Sequence, residues 1–405
     1  MTHPKMQYTY VGIDSHKDTH TAVFLDCFFE RLGEIVFANK PSAFDDFLHN
    51  AQELLVNGTA FLFGLEDTAN YGRNLTVFLK NRKQFVKHVN AMLVAKERKN
   101  GSVTQKTDSI DAECAARVLL SKYDALPDAS TQDNCWVLRT LVLRRGAIVK
   151  NNKALKNQLH GLLTQHYPTY RTYFENIDCS TSLAFFMRYP SPKQLCGATL
   201  EEVTSLLRAH SHKIVGEPKA RQILDSIEDT AVHLQSVRDM AVQSTIRQLQ
   251  FNLCELKQME EALAQVLDGM GTTLTSMKGI DTVSASQLLS CIGDIRRFAS
   301  PAKLARYAGI APVTYASGKN DKQYANQRGN RELNSLFYNL ALRVSMVAGR
   351  HKRVINPFFH DYYHRKISEG KTKRQALKCV QRRLVNIIWN MLMYGKDYIN
   401  PDSLK

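Results

Sequence analysis

Apolar and polar positions change their period along the chain, and the first ninety residues carry the period of strands. Residues 7–14, 19–26 and 33–38 form three short runs of aromatic and β-branched residues, the second opening with polar/apolar alternation, Thr19-His20-Thr21-Ala22. Their spacing predicts an antiparallel meander. The run Tyr8-Thr9-Tyr10-Val11-Gly12-Ile13 reads as a central strand that ends on Asp14. A helix is predicted over 42–55, carried by Phe44, Phe47, Leu48, Leu54 and Leu55. A strand over 60–65, a helix around 73–80 and a strand over 84–89 complete an α/β layer arrangement. After a basic connector, Lys96-Glu97-Arg98-Lys99-Asn100-Gly101, helical spacing returns over 108–122 at Ile110, Cys114, Ala115, Val118 and Leu119. Pro127-Asp128-Ala129-Ser130 marks a boundary.

Beyond it the pattern is long, polar and helical. Leu138, Leu141, Val142, Ile148, Leu155, Leu159 and Leu162 recur in approximate heptads over 134–167, and a similar pattern runs over 200–266. It predicts a coiled-coil or helical-hairpin insert able to carry a dimer contact; a packed helical bundle fits the same positions. A third region starts near Gly271, with a helix over 284–292. The expected fold class is therefore α/β plus α: an α/β domain over 1–128, a helical or coiled-coil region over 129–268 and a mainly helical domain over 269–405.

A chain of 405 residues exceeds one core, in line with two or three domains. No apolar run approaches the roughly 18–20 residues that cross a bilayer, and no basic-then-apolar leader opens the sequence, so a soluble, cytoplasmic protein with no membrane partner is expected. The eight cysteines lack any Cys-x-x-Cys pair, which argues against a zinc ribbon and a secreted disulfide scaffold. Charge is uneven. Residues 271–405 hold 23 Lys and Arg against 8 Asp and Glu, while 1–270 hold 31 against 30, so nearly all of the net +16 lies in the final third. An excess so concentrated fits a polyanion, with nucleic acid the expected partner.

Asp14 and Glu66 close predicted strands, and Asp108 and Asp111, three apart, share a helix face. Together they supply the hard oxygen ligands that Mg²⁺ takes, and such ions can clamp the attacking and leaving oxygens of a phosphoryl displacement. Singly, each reads equally as a strand-end acid, an N-cap (Asp108) or a first-turn acid (Asp111). His16 and His20 lie four apart but in a turn and strand, where that spacing does not align side chains; a phosphate contact or surface role is expected for both, not zinc. Ser317, in Tyr315-Ala316-Ser317-Gly318-Lys319, reads on spacing alone as a turn serine. With Lys319, Arg328 and Arg331 nearby it becomes a candidate nucleophile toward phosphate.

Three acid motifs, Val11-Gly12-Ile13-Asp14-Ser15-His16-Lys17, Gly64-Leu65-Glu66-Asp67-Thr68 and Lys106-Thr107-Asp108-Ser109-Ile110-Asp111-Ala112, resemble those of the DEDD-type insertion-sequence transposases. So do Gly293-Asp294-Ile295-Arg296-Arg297-Phe298, Tyr307-Ala308-Gly309-Ile310-Ala311-Pro312, Ser317-Gly318-Lys319 and Arg328-Gly329-Asn330-Arg331 near the other end. The resemblance implies a RuvC-like, ribonuclease-H-type first domain, with Asp14, Glu66, Asp108 and Asp111 as catalytic Mg²⁺ ligands and Ser317 as nucleophile. It further implies strand exchange between donor and target DNA by a tetramer, guided by a non-coding bridge RNA. Where the family often has Ser-Ser-Gly, this chain has Ala316 before Ser317, leaving one candidate hydroxyl. The alternative is a RuvC-like metal-dependent nuclease that hydrolyses branched DNA. Lys371, Lys373, Arg374, Lys378, Arg382 and Arg383 are expected to add a salt-dependent nucleic-acid contact.

Overall fold

The computed structural model describes residues 3–66, 71–101, 105–129, 133–211, 214–227, 234–317, 320–324, 326, 329–348 and 353–400. The chain divides into two compact units, Met1–Asp133 and Asn134–Lys405.

The first unit is built on a five-stranded sheet in the order β3-β2-β1-β4-β5. The meander comprises β1 (Tyr8–Ser15), β2 (Thr19–Leu25) and β3 (Arg31–Ala38), all antiparallel neighbours. After α1 (Phe44–Ala51), β4 (Ala60–Glu66) returns parallel to β1. Then α2 (Arg73–Asn81) leads to β5 (Phe85–Val89), parallel to β4. The strands follow the predicted pattern closely. Helix α1 is shorter than the apolar spacing implied, because its last residues tighten into a 3₁₀ turn at Gln52–Leu54.

The two-residue strand period sorts each strand between two cores. Val11, Ile13, Phe63 and Leu65 pack with Phe44 and Phe47 of α1 and Leu75 and Leu79 of α2. Tyr10 and Leu62 face the other way, toward α4 (Asp108–Lys122), whose Ala112, Ala115, Ala116 and Leu119 are wholly buried. Gly12 lies on that second face, and a β-carbon there would stand 2.1 Å from the Ala112 carbonyl oxygen and 2.2 Å from the Ala116 nitrogen. Only glycine lets β1 and α4 approach so closely, and small alanines on α4 match it.

One sequence expectation fails here. The basic stretch 96–101, read as a connector, belongs mostly to a helix, α3 (Ala91–Asn100). Asn90 starts it, its side chain accepting a 2.8 Å hydrogen bond from the Met92 amide, and one buried residue, Val94, anchors it. A helix with so narrow an apolar stripe leaves little periodicity to read.

In the second unit α5 (Asp133–His166) precedes α6 (Ser180–Arg188), α7 (Pro192–Leu195), α8 (Leu200–His210), α9 (Glu217–Asp225) and α10 (Gln235–Met270). The helical pattern over 200–266 is divided among α8, α9 and α10, since Gly216 and Pro218 start α9 as a separate element. Helices α5 and α10 run antiparallel: Arg145 bonds Glu260 at 2.7 Å, buried Asn252 donates to Asn152 at 2.7 Å, and Arg238 donates to Gln165 at 3.0 Å. The two long helices are not consecutive, since α6–α9 lie between them, and the packed bundle is the arrangement observed. The paired helices thread a bundle core with α6, α8 and α9 around Leu159, Leu163, Ile246 and Leu249. Their other ends enter a second core through Leu138, Val142, Leu263 and Leu267.

That second core is formed by α11 (Thr282–Ile292), α12 (Pro301–Tyr307), α13 (Arg331–Ser345) and the two last helices, while a hairpin of β6 (Val313–Ser317) and β7 (Asn320–Tyr324) lies between α12 and α13 in the chain. A short ladder of β8 (Val347–Ala348) and β9 (Arg353–Val354) precedes α14 (Pro357–Ser368) and α15 (Lys373–Tyr394). No described helix is long and apolar enough to cross a membrane.

Candidate active site

Asp14 and Glu66 are register partners across the parallel β1–β4 pair. Both lie one pleat beyond a glycine, Gly12 and Gly64, on the face covered by α4, so their carboxylates share one side of the sheet at the strand ends. The first turn of α4 brings Asp108 and Asp111 there. Thr107 caps this helix, its hydroxyl accepting a 3.2 Å hydrogen bond from the Ile110 amide. Asp108 is therefore not the N-cap, one of the roles open to it in the sequence, and its half-exposed carboxylate is not spent on capping. Residues so placed also profit from the positive end of the helix dipole.

Close packing leaves all of these acids but Asp108 poorly hydrated. Asp14 is 8% exposed, and burial lifts its carboxyl to about 6; His16 opposes the rise, while Asp111 and Asp108 add to it. Burial likewise pushes Glu66 up to about 7, with Asp14 and Asp111 adding to the rise and Arg98 and Lys106 working against it. Glu66 Oε2 is buried and has no hydrogen-bond partner among the described residues. Like charges crowded at strand ends cost stability unless something neutralises them. Asp111, 6% exposed, is ion-paired with Arg98 of α3, and Lys106 Nζ approaches its other oxygen at 3.9 Å.

His16 completes the group. Its Nδ1 lies 3.6 Å from Asp14 Oδ2 and 3.8 Å from Asp108 Oδ2, and ligand atoms of these three residues fall within 4.8 Å of one another. His20 is different: it is wholly buried between the rings of Phe37 and Phe44, and burial lowers its pKa to about 4. The surface or phosphate role expected for His20 is thus excluded, because the β2 register turns it into the core. Four carboxylates with an orphaned buried oxygen, most of them shielded from water, suit a hard divalent cation, and Mg²⁺ fits the donor set.

The second unit positions the remaining candidates. Ser317 is the last residue of β6, paired with Asn320 across a hairpin turn. The roots of that hairpin are tied backbone to backbone: Gly309 takes φ +68°, and a β-carbon on Gly329 would stand 2.3 Å from the Gly309 α-carbon. The Asn330 amide donates to the Tyr307 carbonyl at 2.7 Å, and Asn334 Nδ2 to that of Ala308 at 2.8 Å. Asn330 also caps α13, accepting from the Leu333 amide at 2.9 Å. Two of the motifs read from the sequence are therefore the two halves of one clasp. Arg331 follows, exposed, in the first turn of α13; Lys319 and Arg328 lie outside the described residues.

Along α15, Arg374, Lys378 and Arg382 recur every four residues and form one stripe, with Lys371 and Lys373 exposed at its start. Burial, with Arg374 nearby, lowers the Lys378 pKa. Arg383 departs from the stripe, its guanidinium lying 5.5 Å from the Phe358 ring centre.

Sequence reasoning missed Arg98; the surface position expected of His16 agrees with its half-exposed side chain, while its approach to Asp14 and Asp108 was not foreseen. The helical start at Asn90 was the available signal for the first.

Known proteins extend the picture. A DEDD transposase model of IS110 type matches residues 11–168, and a model described as the transposase IS116/IS110/IS902 family matches 271–364. The chain is 26% identical to the 44.8 kDa protein of insertion element IS116 from Streptomyces clavuligerus, over 95% of this chain and 94% of that one. It is 28% identical to the 43.6 kDa protein of insertion element IS110 from Streptomyces coelicolor, over 72% of each. A pilin gene-inverting protein of Moraxella bovis is 23% identical over 97% of this chain and 98% of its own length. Both acid-bearing and serine-bearing regions fall within the matched segments, and the chain belongs to the IS110/IS116 family of transposases, enzymes of DNA recombination.

Proposed function

We propose that this transposase exchanges DNA strands by serine transesterification, assisted by Mg²⁺ in a RuvC-like, ribonuclease-H-type domain over 1–128. The observation that carries the reading is the register-matched pair Asp14 and Glu66, raised in pKa and facing the first turn of α4. The sheet order, a meander followed by two parallel strands, supports the RuvC-like assignment. Asp14, Glu66, Asp108 and Asp111 would hold the cation, which supplies charge neutralisation at the reacting phosphate.

Ser317 Oγ attacks a DNA phosphate, and a serine–phosphorus ester forms as the bond to one deoxyribose oxygen breaks. That oxygen leaves as a hydroxyl, taking up the proton the serine gives up. The ester conserves the bond energy, so a hydroxyl from another DNA end can reverse the step and join new strands without an external energy source. Serine and acids must act on the same phosphate in the assembled complex, a tetramer in this reading. Arg331, with Lys319 and Arg328 close to Ser317 in the sequence, and the cations of the α15 stripe would bind phosphates. Target choice falls to base pairing with a non-coding bridge RNA, so no side-chain code for bases is needed. The pilin gene-inverting relative supports recombination by rejoining.

The test uses a nicked DNA substrate and denaturing electrophoresis. The wild type should form a covalent protein–DNA adduct that Ser317→Ala abolishes. An adduct that persists in Ser317→Ala removes the serine assignment, and free ends without adduct mean hydrolysis by a nuclease. Asp14→Asn should abolish the adduct as well. A structured RNA encoded beside the gene, with loops matching the element's junctions, is the corresponding expectation for the guide.

A further inference from the structure

We propose that His16 is a ligand of the catalytic cation, its Nδ1 joining Asp14 and Asp108, so that one cation position carries a nitrogen donor while the Glu66 and Asp111 side is all oxygen. The inference rests on the reading of the acids as cation ligands and adds a residue to it.

Three observations point this way. The His16 Nδ1 stands 3.6 Å and 3.8 Å from one oxygen each of Asp14 and Asp108, close enough for all three to meet a common ion after small side-chain rotations. The backbone that presents it is fixed: the His16 amide donates to the Thr19 carbonyl at 3.1 Å. Asn39 Nδ2 staples the turn, donating to the carbonyls of His16, Lys17 and Tyr71 at 3.2, 3.2 and 3.1 Å. A histidine whose backbone is tied at both its amide and its carbonyl, in a turn stapled to the neighbouring chain segment at the rim of a buried carboxylate cluster, is preorganised in a way a loose surface histidine is not. Finally, half of its side chain is exposed, leaving an approach for a hydrated ion from solvent. Ligation requires a free lone pair on Nδ1, so Nε2 carries the proton and faces away from the acids.

The competing role is that of a counter-charge, an imidazolium neutralising Asp14 and Asp108. The two roles predict opposite signs. Removing a counter-charge strengthens cation binding, whereas removing a ligand weakens it, and weakens Mn²⁺ more than Mg²⁺ because imidazole favours transition metals over Mg²⁺.

Mn²⁺ binding to the full-length protein, followed by electron paramagnetic resonance, tests the proposal. The wild-type complex should show electron spin-echo modulation from a directly bound ¹⁴N nucleus. His16→Asn should lose that modulation and bind Mn²⁺ about tenfold more weakly, with a smaller change for Mg²⁺. Unchanged melting of the cation-free variant confirms that the fold is intact, and His16→Ala repeats the measurement without an amide oxygen that could substitute. If Asp14→Asn lowers Mn²⁺ binding but His16→Asn binds as tightly as the wild type or tighter, or keeps its nitrogen modulation, the His16 proposal is overturned while the cation site stands. If the wild type binds no Mn²⁺, both are overturned.

Discussion

When a divalent cation enters the Asp14 and Glu66 pair it must displace whatever protons the pair holds, and the number depends steeply on pH. Carboxyls titrating at about 6 and about 7 together hold about one proton at pH 6.5 and only about 0.1 at pH 8. Binding therefore releases about one proton at the lower pH and almost none at the higher. The same occupancy makes apparent affinity about 20-fold weaker at pH 6 than at pH 8. The sign follows from the direction of both shifts: raised carboxyls keep protons that the cation must expel, so binding strengthens as pH rises. Isothermal titration of Mn²⁺ into the full chain, in pairs of buffers with different ionisation enthalpies, counts these protons directly. In Glu66→Gln the release at pH 6.5 should fall to about a quarter of a proton or less, since Asp14 then stands alone. Equal proton release at pH 6.5 and pH 8 would refute the premise that burial and mutual repulsion raise these two carboxyls.

Without a cation the same raised carboxyls contribute stability that is fully present below about pH 4 and is lost as pH rises through 6 to 7; melting in EDTA across this window should show the decline, and added Mg²⁺ should reverse it at pH 8. Arg98→Ala leaves buried Asp111 only the more distant Lys106 and should cost up to about 3–5 kcal/mol in EDTA, with the gap narrowing in excess Mg²⁺; a gap indifferent to Mg²⁺ would mean Asp111 takes no part in the cation site. Gly12→Ala forces α4 away from β1 and should cost about 1–3 kcal/mol or more by chemical denaturation, together with loss of Mn²⁺ binding. Reversing charge at Lys371, Lys373, Arg374, Lys378, Arg382 and Arg383 should flatten the dependence of nucleic-acid affinity on salt, by about 0.9 in the log–log slope for each phosphate that is no longer neutralised; an unchanged slope would mean that other cations meet the phosphates.

Much of the first unit was legible because strand periodicity is strong where both faces of a sheet are buried by different partners. Tyr10, Gly12 and Asp14 announce one face and Val11 and Ile13 the other, and the same alternation puts Glu66 at the end of its own strand, two residues beyond Gly64. The pair Asp108 and Asp111 was readable from spacing alone. What periodicity could not convey was pairing between elements. A surface or phosphate-contacting role was expected of His20, but the register of β2 turns it between Phe37 and Phe44. Helix α3 buries too little to leave a pattern, and with it the Arg98 ion pair stayed hidden. The clasp of Gly309 and Gly329 was visible as two motifs, but their being one structure depends on a backbone approach across twenty residues.

Helices α5 and α10 link the bundle core to the core of α11–α15, and their antiparallel pairings at Arg145 and Glu260, Asn152 and Asn252, and Gln165 and Arg238 keep a common register. That arrangement constrains how the protein can change length. Residues added to one helix alone would throw every pairing beyond the insertion out of step and bury Asn152 or Asn252 against an apolar neighbour. Matched insertions of seven in both helices would restore the pairing, with a drift of only about 20° per heptad. The distance between the two cores is thus adjustable in steps of about 10 Å, seven residues at 1.5 Å each. An engineer who wanted to move the bundle relative to the core of α11–α15 could do so without touching either.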